Sequence, residues 1–203
     1  MKRALSLFLS FVFVLGCVSL GAFRIESSAA TTSLKEVSWS EPVDTKLNGG
    51  YPRLATAASG SLIMAYGAGK KLYVARSADS GKTWPTKIVA YDYSQSGTSA
   101  ANPAPYFDLE SKTLYLAFRA PSVNADGTYT ANIKYITSTD NGSTWSEPVT
   151  VASSTVSTQD TYGGMWEPTI YRLDGKLRIF YSCDTVKEKN NQVILNTGKE
   201  GQS

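Results

Sequence analysis

Ser77-Ala78-Asp79-Ser80-Gly81-Lys82-Thr83-Trp84 recurs as Ser138-Thr139-Asp140-Asn141-Gly142-Ser143-Thr144-Trp145, and five of the eight positions are identical. An internal repeat of this kind is the first thing to settle, because missing it misassigns the whole fold. Each copy follows an alternating apolar run, at residues 72–76 and 133–137, and precedes a second short run, at 87–90 and 148–151. The repeated element is therefore a tight turn joining two strands. The aspartate (Asp79, Asp140) suits acceptance of backbone N–H bonds within the turn. The glycine (Gly81, Gly142) supplies a backbone conformation that other residues resist, and the tryptophan (Trp84, Trp145) anchors the turn to the sheet.

Working outward, the remaining apolar runs fall into three groups of strands. Blade one spans 51–90, with strands at 51–57, 62–66, 72–76 and 87–90. Blade two spans 101–152, with strands at 103–107, 113–119, 132–138 and 148–152. An incomplete blade three occupies 166–203, with strands at 167–173, 176–181 and 192–196. Gly60 and Asp174-Gly175 mark tight turns. No segment beyond residue 30 has a sustained helical period, so the domain is expected to be all-β. A third copy of the turn is expected to begin at Thr197-Gly198-Lys199, with Lys199 in the aspartate's place. Trp39-Ser40-Glu41-Pro42-Val43 echoes Trp145-Ser146-Glu147-Pro148-Val149, which points to residues 37–43 as an outer strand that closes the ring onto a last blade.

Composition narrows the chemistry. The chain has 203 residues, 42% of them hydrophobic, a net charge of +3 and no histidine. No His-based metal site and no Ser-His-Asp triad can be built from it. The modest charge and the lack of a basic run point away from a nucleic-acid partner. Lys2 and Arg3 precede an apolar stretch at 4–23, and Ser28-Ala29-Ala30 offers a signal-peptidase site. Residues 1–30 are thus expected to be a signal peptide, and the product to be secreted. Two alternatives stay open: a lipoprotein modified at Cys17, in Val14-Leu15-Gly16-Cys17, and an uncleaved anchor. Cys183 then remains the lone mature cysteine and reads as a small buried apolar residue.

The repeated octapeptide resembles the Asp-box (BNR repeat) of the sialidase-like superfamily, which implies a six-bladed β-propeller of which about three blades are present. In that superfamily the box is structural and lies on the outer rim. Three further segments are similar to glycoside hydrolase family 93, the exo-acting α-L-arabinanases. They are Tyr51-Pro52-Arg53-Leu54, then Asn102-Pro103 with Ala117-Phe118-Arg119, and Gly164-Met165-Trp166-Glu167-Pro168 with Ile179-Phe180-Tyr181-Ser182. The resemblance covers roughly the N-terminal half of such an enzyme.

Arg53, Asn102 and Glu167 each lie near the start of an expected innermost strand, and prolines stand beside all three. Polar groups at equivalent places in three blades converge on one axial pocket. Glycosidases flank the scissile bond with two carboxylates, and the resemblance implies that Glu167 is the nucleophile. Arg53 and Asn102 are expected to bind sugar hydroxyls, Trp166 to stack on a sugar ring, and Arg119 and Asp184 to assist. The second glutamate is expected in later blades, so this chain alone is expected to be inactive. No cofactor is implied, and a structural calcium stays open. The expected partner is an oligo- or polysaccharide, with a monomer as the full-length state and a dimer of half-propellers as the alternative. A sialidase and a non-catalytic carbohydrate-binding propeller are the rival functions. The sialidase arginine motif resembles Arg-Ile-Pro, whereas here Pro52 precedes Arg53.

Overall fold

The computed structural model describes residues 39–94, 99–156 and 164–183. Two compact units divide the chain, at 1–42 and 43–203. In the first, residues 39–42 form no strand, and Trp39 is 91% exposed. Of the closing strand expected at 37–43, the structure describes 39–43, which form no strand, and the blade that would receive it lies outside the described residues.

The second unit is built of antiparallel sheets in meander order, with no helix among the described residues. The first sheet runs β1 (Gly50–Thr56), β2 (Leu62–Ala68), β3 (Lys71–Ser77) and β4 (Thr86–Asp92). The second runs β5 (Ala101–Asp108), β6 (Thr113–Arg119) and β8 (Tyr129–Ser138), to which both β7 (Ser122–Val123) and β9 (Val149–Val156) pair. The third comprises β10 (Met165–Leu173) and β11 (Lys176–Cys183). The strand expected at 192–196 and the third turn copy lie outside the described residues. The short β7 has no counterpart in the sequence reading. It is a two-residue hairpin arm closed by Gly127 N–H to the Asn124 carbonyl, too brief to give a period.

The core lies between the sheets. Alternation along each strand puts Ile63, Ala65, Leu72 and Val74 of the first sheet against Leu114, Leu116, Phe118 and Ile136 of the second. A second cluster joins Tyr129, Ala131 and Ile133 to Met165 and Tyr181 of the third sheet. The first strand of each sheet is a neighbour of the next, β1 beside β5 and β5 beside β10. That is the innermost-strand arrangement of consecutive propeller blades.

Register fixes which end of each blade a residue occupies. Gly50 at the start of β1 pairs with Gly67, and Thr56 at its end pairs with Leu62, which pairs with Ser77. The β3–β4 turn, carrying Asp79, therefore lies at the opposite end of the strands from Gly50 and Tyr51, with Arg53 mid-strand opposite Ala65. In the second blade Ala101 pairs with Arg119 and Leu114 with Ser138, so the β8–β9 turn carrying Asp140 again lies opposite Asn102.

The two turns are nearly superimposable in their bonding. Ser77 Oγ donates to Asp79 Oδ1 at 2.7 Å and accepts from Gly81 N–H at 2.9 Å. Thr83 donates to Asp79 through N–H at 2.9 Å and through its hydroxyl at 2.6 Å, and Trp84 Nε1–H donates to the Gly81 carbonyl at 3.1 Å. Ser138, Asp140, Gly142, Thr144 and Trp145 repeat every one of these bonds. The donors around Asp79 hold its carboxyl down to about 2, led by the Thr83 hydroxyl. Asp140 is lowered for the same reason.

At the same far end, Arg172 of β10 ties blade three to blade two. Its Nε and Nη2 donate to the two oxygens of Asp108 at 2.8 and 2.7 Å, and Nη1 reaches Glu110 at 2.9 Å. Asp108 is 1% exposed. The Arg172 guanidinium, with help from Ser111, holds its carboxyl well below the usual carboxylate range despite burial.

Candidate active site

At the mouth end of the blades the three sequence-selected polar residues meet. Arg53 Nη2 donates to one carboxylate oxygen of Glu167 and Asn102 Nδ2 donates to the other. Asn102 is buried, whereas the Arg53 and Glu167 side chains are 45% and 43% exposed. One carboxylate is thus gripped from two neighbouring blades while it stays open to the mouth. Among the described residues no second carboxylate bonds to this trio.

A local backbone device aims these side chains. In β10, Trp166 pairs with Ser182 and Thr169 with Phe180, so Glu167 and Pro168 together oppose the single residue Tyr181. In β5, Asn102 and Pro103 oppose Phe118 by the same register shift. In β1, Tyr51 and Pro52 oppose Tyr66. Two residues against one is a β-bulge, a feature that re-aims a side chain. Proline fits there because the bulged residue needs no ladder donor. The residue ahead of the proline has a positive φ in all three blades: 54° at Tyr51, 54° at Asn102 and 48° at Glu167. L-residues before proline prefer extended backbone, so each position is strained by about 1–3 kcal/mol. Such strain persists only where packing over-determines it. Here the opposing aromatics Tyr66, Phe118 and Tyr181 are all buried.

The bulges refine one expectation. Glu167 and Asn102 occupy equivalent places, but their blade-one counterpart is Tyr51. Arg53 sits two residues on, where the other blades carry Ala104 and Thr169, and it reaches across to Glu167. Tyr51 was missed by sequence reasoning. The signal was present as an X-Pro pair followed about 15 residues later by an aromatic at a strand end, in all three blades.

Arg119 ends β6 at the mouth, opposite Ala101. Its guanidinium lies over the Trp166 ring at 3.6 Å and donates to the Tyr129 hydroxyl at 2.9 Å. Trp166 is 38% exposed, and Gly164 backs closely onto its indole: a Cβ on Gly164 would fall 2.0 Å from the ring nitrogen. One face of the ring expected to stack on sugar is thus taken by Arg119. Asp184 lies outside the described residues. Asp79, Gly81, Trp84, Asp140, Gly142 and Trp145 are at the far end and form turns.

Residues 71–163 match the family described as a BNR repeat-like domain. Among solved structures, a Hadza microbial sialidase aligns with a TM-score of 0.50 at 21% identity, over 66% of this chain and 32% of that one. The fold is sialidase-like. An exo-1,5-α-L-arabinanase from a bovine ruminal metagenomic library aligns with a TM-score of 0.44 at 15% identity, over 70% of this chain and 50% of that one. An endo-arabinase from Bacteroides thetaiotaomicron aligns with a TM-score of 0.46 at 18% identity, over 75% and 57%. The chain therefore spans between about a third and just over half the length of these relatives. No curated protein matches the sequence.

Proposed function

We propose that this chain supplies the nucleophile side of a secreted, retaining glycoside hydrolase that acts from the chain end on arabinan-type polysaccharide. The observation that carries the reading is the Glu167 carboxylate held by Arg53 and Asn102 at the mouth of the blades. A retaining enzyme needs a fixed carboxylate oxygen to attack the anomeric carbon, and a second carboxyl group about 5–5.5 Å away to protonate the leaving oxygen. Glu167 meets the first requirement. Arg53 and Asn102 fix its orientation and leave part of it open to a sugar. The second carboxyl group belongs, in this reading, to later blades of the whole enzyme, and the 203-residue chain does not turn over an unactivated glycoside.

An activated substrate removes the need for the acid. With a 2,4-dinitrophenyl α-L-arabinofuranoside, the Glu167 oxygen bonds to C1 as the C1–O bond breaks, and dinitrophenolate leaves without a proton. Mass spectrometry of the digested chain is expected to find the glycosyl adduct on Glu167 and none in Glu167→Gln. No adduct, or an adduct elsewhere, overturns the nucleophile assignment. Arg119 and Arg53 both lie at the mouth, and this favours one second reading, an anionic sugar such as a sialoside. Titration with sialyllactose against arabinotriose separates the two. Sugar binding without any adduct would instead fit a binding propeller.

A further inference from the structure

We propose that Tyr51 is a further sugar-contacting residue of this site, supplied by blade one. The proposal rests on the carbohydrate reading above and adds a residue that neither composition nor the Asp-box repeat selects.

The case starts from backbone equivalence. Tyr51, Asn102 and Glu167 each precede proline, each have a φ near 50°, and each occupy the same place in a two-against-one bulge of an innermost strand. The same bulge and the same backbone conformation launch Cβ in the same direction relative to the blade. In two blades that direction delivers a side chain to the mouth, where Asn102 and Glu167 bond to each other. In the third it delivers a tyrosine.

Exposure and bonding set Tyr51 apart from a packing residue. It is 59% exposed, and its side chain makes no hydrogen bond or ring contact among the described residues. No hydrogen bond or ring contact of the side chain therefore offsets the strain. The aromatic that secures the bulge is Tyr66, on the opposing strand: it is buried and stacked on Tyr73 with ring centroids 5.5 Å apart. Tyr51 is thus held by its surroundings without contributing to them. Strained backbone that persists in this way is characteristic of ligand sites. A tyrosine offers a sugar both an apolar face for its C–H surface and a hydroxyl for its O–H groups. Arg53, two residues along the same strand, already reaches Glu167, so Tyr51 borders the sugar that Glu167 would attack.

The test uses the full chain, titrated calorimetrically with arabinotriose and with sialyllactose, alongside thermal melts. Tyr51→Ala is expected to weaken binding of whichever probe the wild type takes by about three- to tenfold, and Tyr51→Phe to lose only the hydroxyl's share. Tyr51→Gly guards against a folding defect, because glycine adopts a positive φ without strain. It should melt no lower than wild type and still bind as weakly as Tyr51→Ala. Wild-type affinity in Tyr51→Ala and Tyr51→Gly, with binding lost in Asn102→Ala, would overturn this proposal and leave the carbohydrate reading standing. If the wild-type chain binds neither sugar, the carbohydrate reading falls and this proposal falls with it.

Discussion

Arg53 of the first blade and Glu167 of the third are 114 positions apart in the chain, yet they form an ion pair at the mouth of the blades. Both side chains are nearly half exposed, so water screens the pair and its contribution to stability is about 0–1 kcal/mol. A tie this weak in folding terms but this specific in geometry points to orientation of the carboxylate. Arg53→Ala should lower the melting temperature by no more than about 3 °C. Under the proposed nucleophile role of Glu167, it should slow adduct formation there roughly 100-fold, because a misplaced nucleophile loses most of its advantage. A large drop in melting temperature with labelling unchanged would make Arg53 a structural strut.

The far end of the blades gives a pH prediction. Asp79 titrates at about 2 in the fold, below its ordinary value of 3.8, because Thr83 and Ser77 donate to its charged form. A lowered carboxyl stabilises the fold above the unfolded value and loses that contribution as pH falls through the folded one. Wild type should therefore melt higher than Asp79→Asn at pH 6, and the gap should close between about pH 4 and pH 2. A gap that stays constant over that range would mean the carboxylate's hydrogen bonds are not its source. Asp140, more exposed but held by the same bonds and one more from Ser143 N–H, should behave alike.

The two Asp-box turns were legible because their information is local. Serine, aspartate, glycine, threonine and tryptophan satisfy one another within eight residues, and the sequence carries the set twice. The strands followed from alternation between those turns. The mouth was legible only in outline. Arg53, Asn102 and Glu167 stood out as polar groups beside prolines, but the bulges that aim them depend on which residue opposes which across the sheet, and a sequence does not print that. Hence Arg53 passed for the equivalent of Glu167, while Tyr51 went unselected. Trp166 looked free because its cover, Arg119, comes from another blade.

Asp108 and Arg172 offer the sharpest stability test. Asp108 is buried and accepts two guanidinium bonds from the next blade as well as two from Ser111. Removing one member of a buried pair leaves polar groups desolvated without partners, which costs on the order of 3 kcal/mol. Asp108→Ala should show that loss in urea unfolding at neutral pH. Because these partners also hold the Asp108 carboxyl low, wild-type stability should fall on acidification below about pH 4. A loss under 1 kcal/mol would mean that apolar packing alone joins the second and third blades.

Three turn glycines grade the cost of a single methyl group. Gly60, Gly81 and Gly142 share positive φ values of 80°, 87° and 85°, so alanine is strained at each by about 1 kcal/mol. They differ in the space around the added carbon. At Gly60 it meets nothing within 4 Å. At Gly81 it lies 3.4 Å from Leu62 and 3.8 Å from Trp84. At Gly142 it lies 3.3 Å from both Leu114 and Trp145, and 3.5 Å from Val74 of the neighbouring blade. Crowding of a packed site adds roughly 1–3 kcal/mol, so the loss on substitution by alanine should rise in the order Gly60, Gly81, Gly142. Urea unfolding of the three variants measures it. The order matters because only Gly142 contacts both its own blade and the one before it. If Gly142→Ala proved no worse than Gly60→Ala, the second Asp-box would be a free turn, and its tryptophan would not pin one blade against the next.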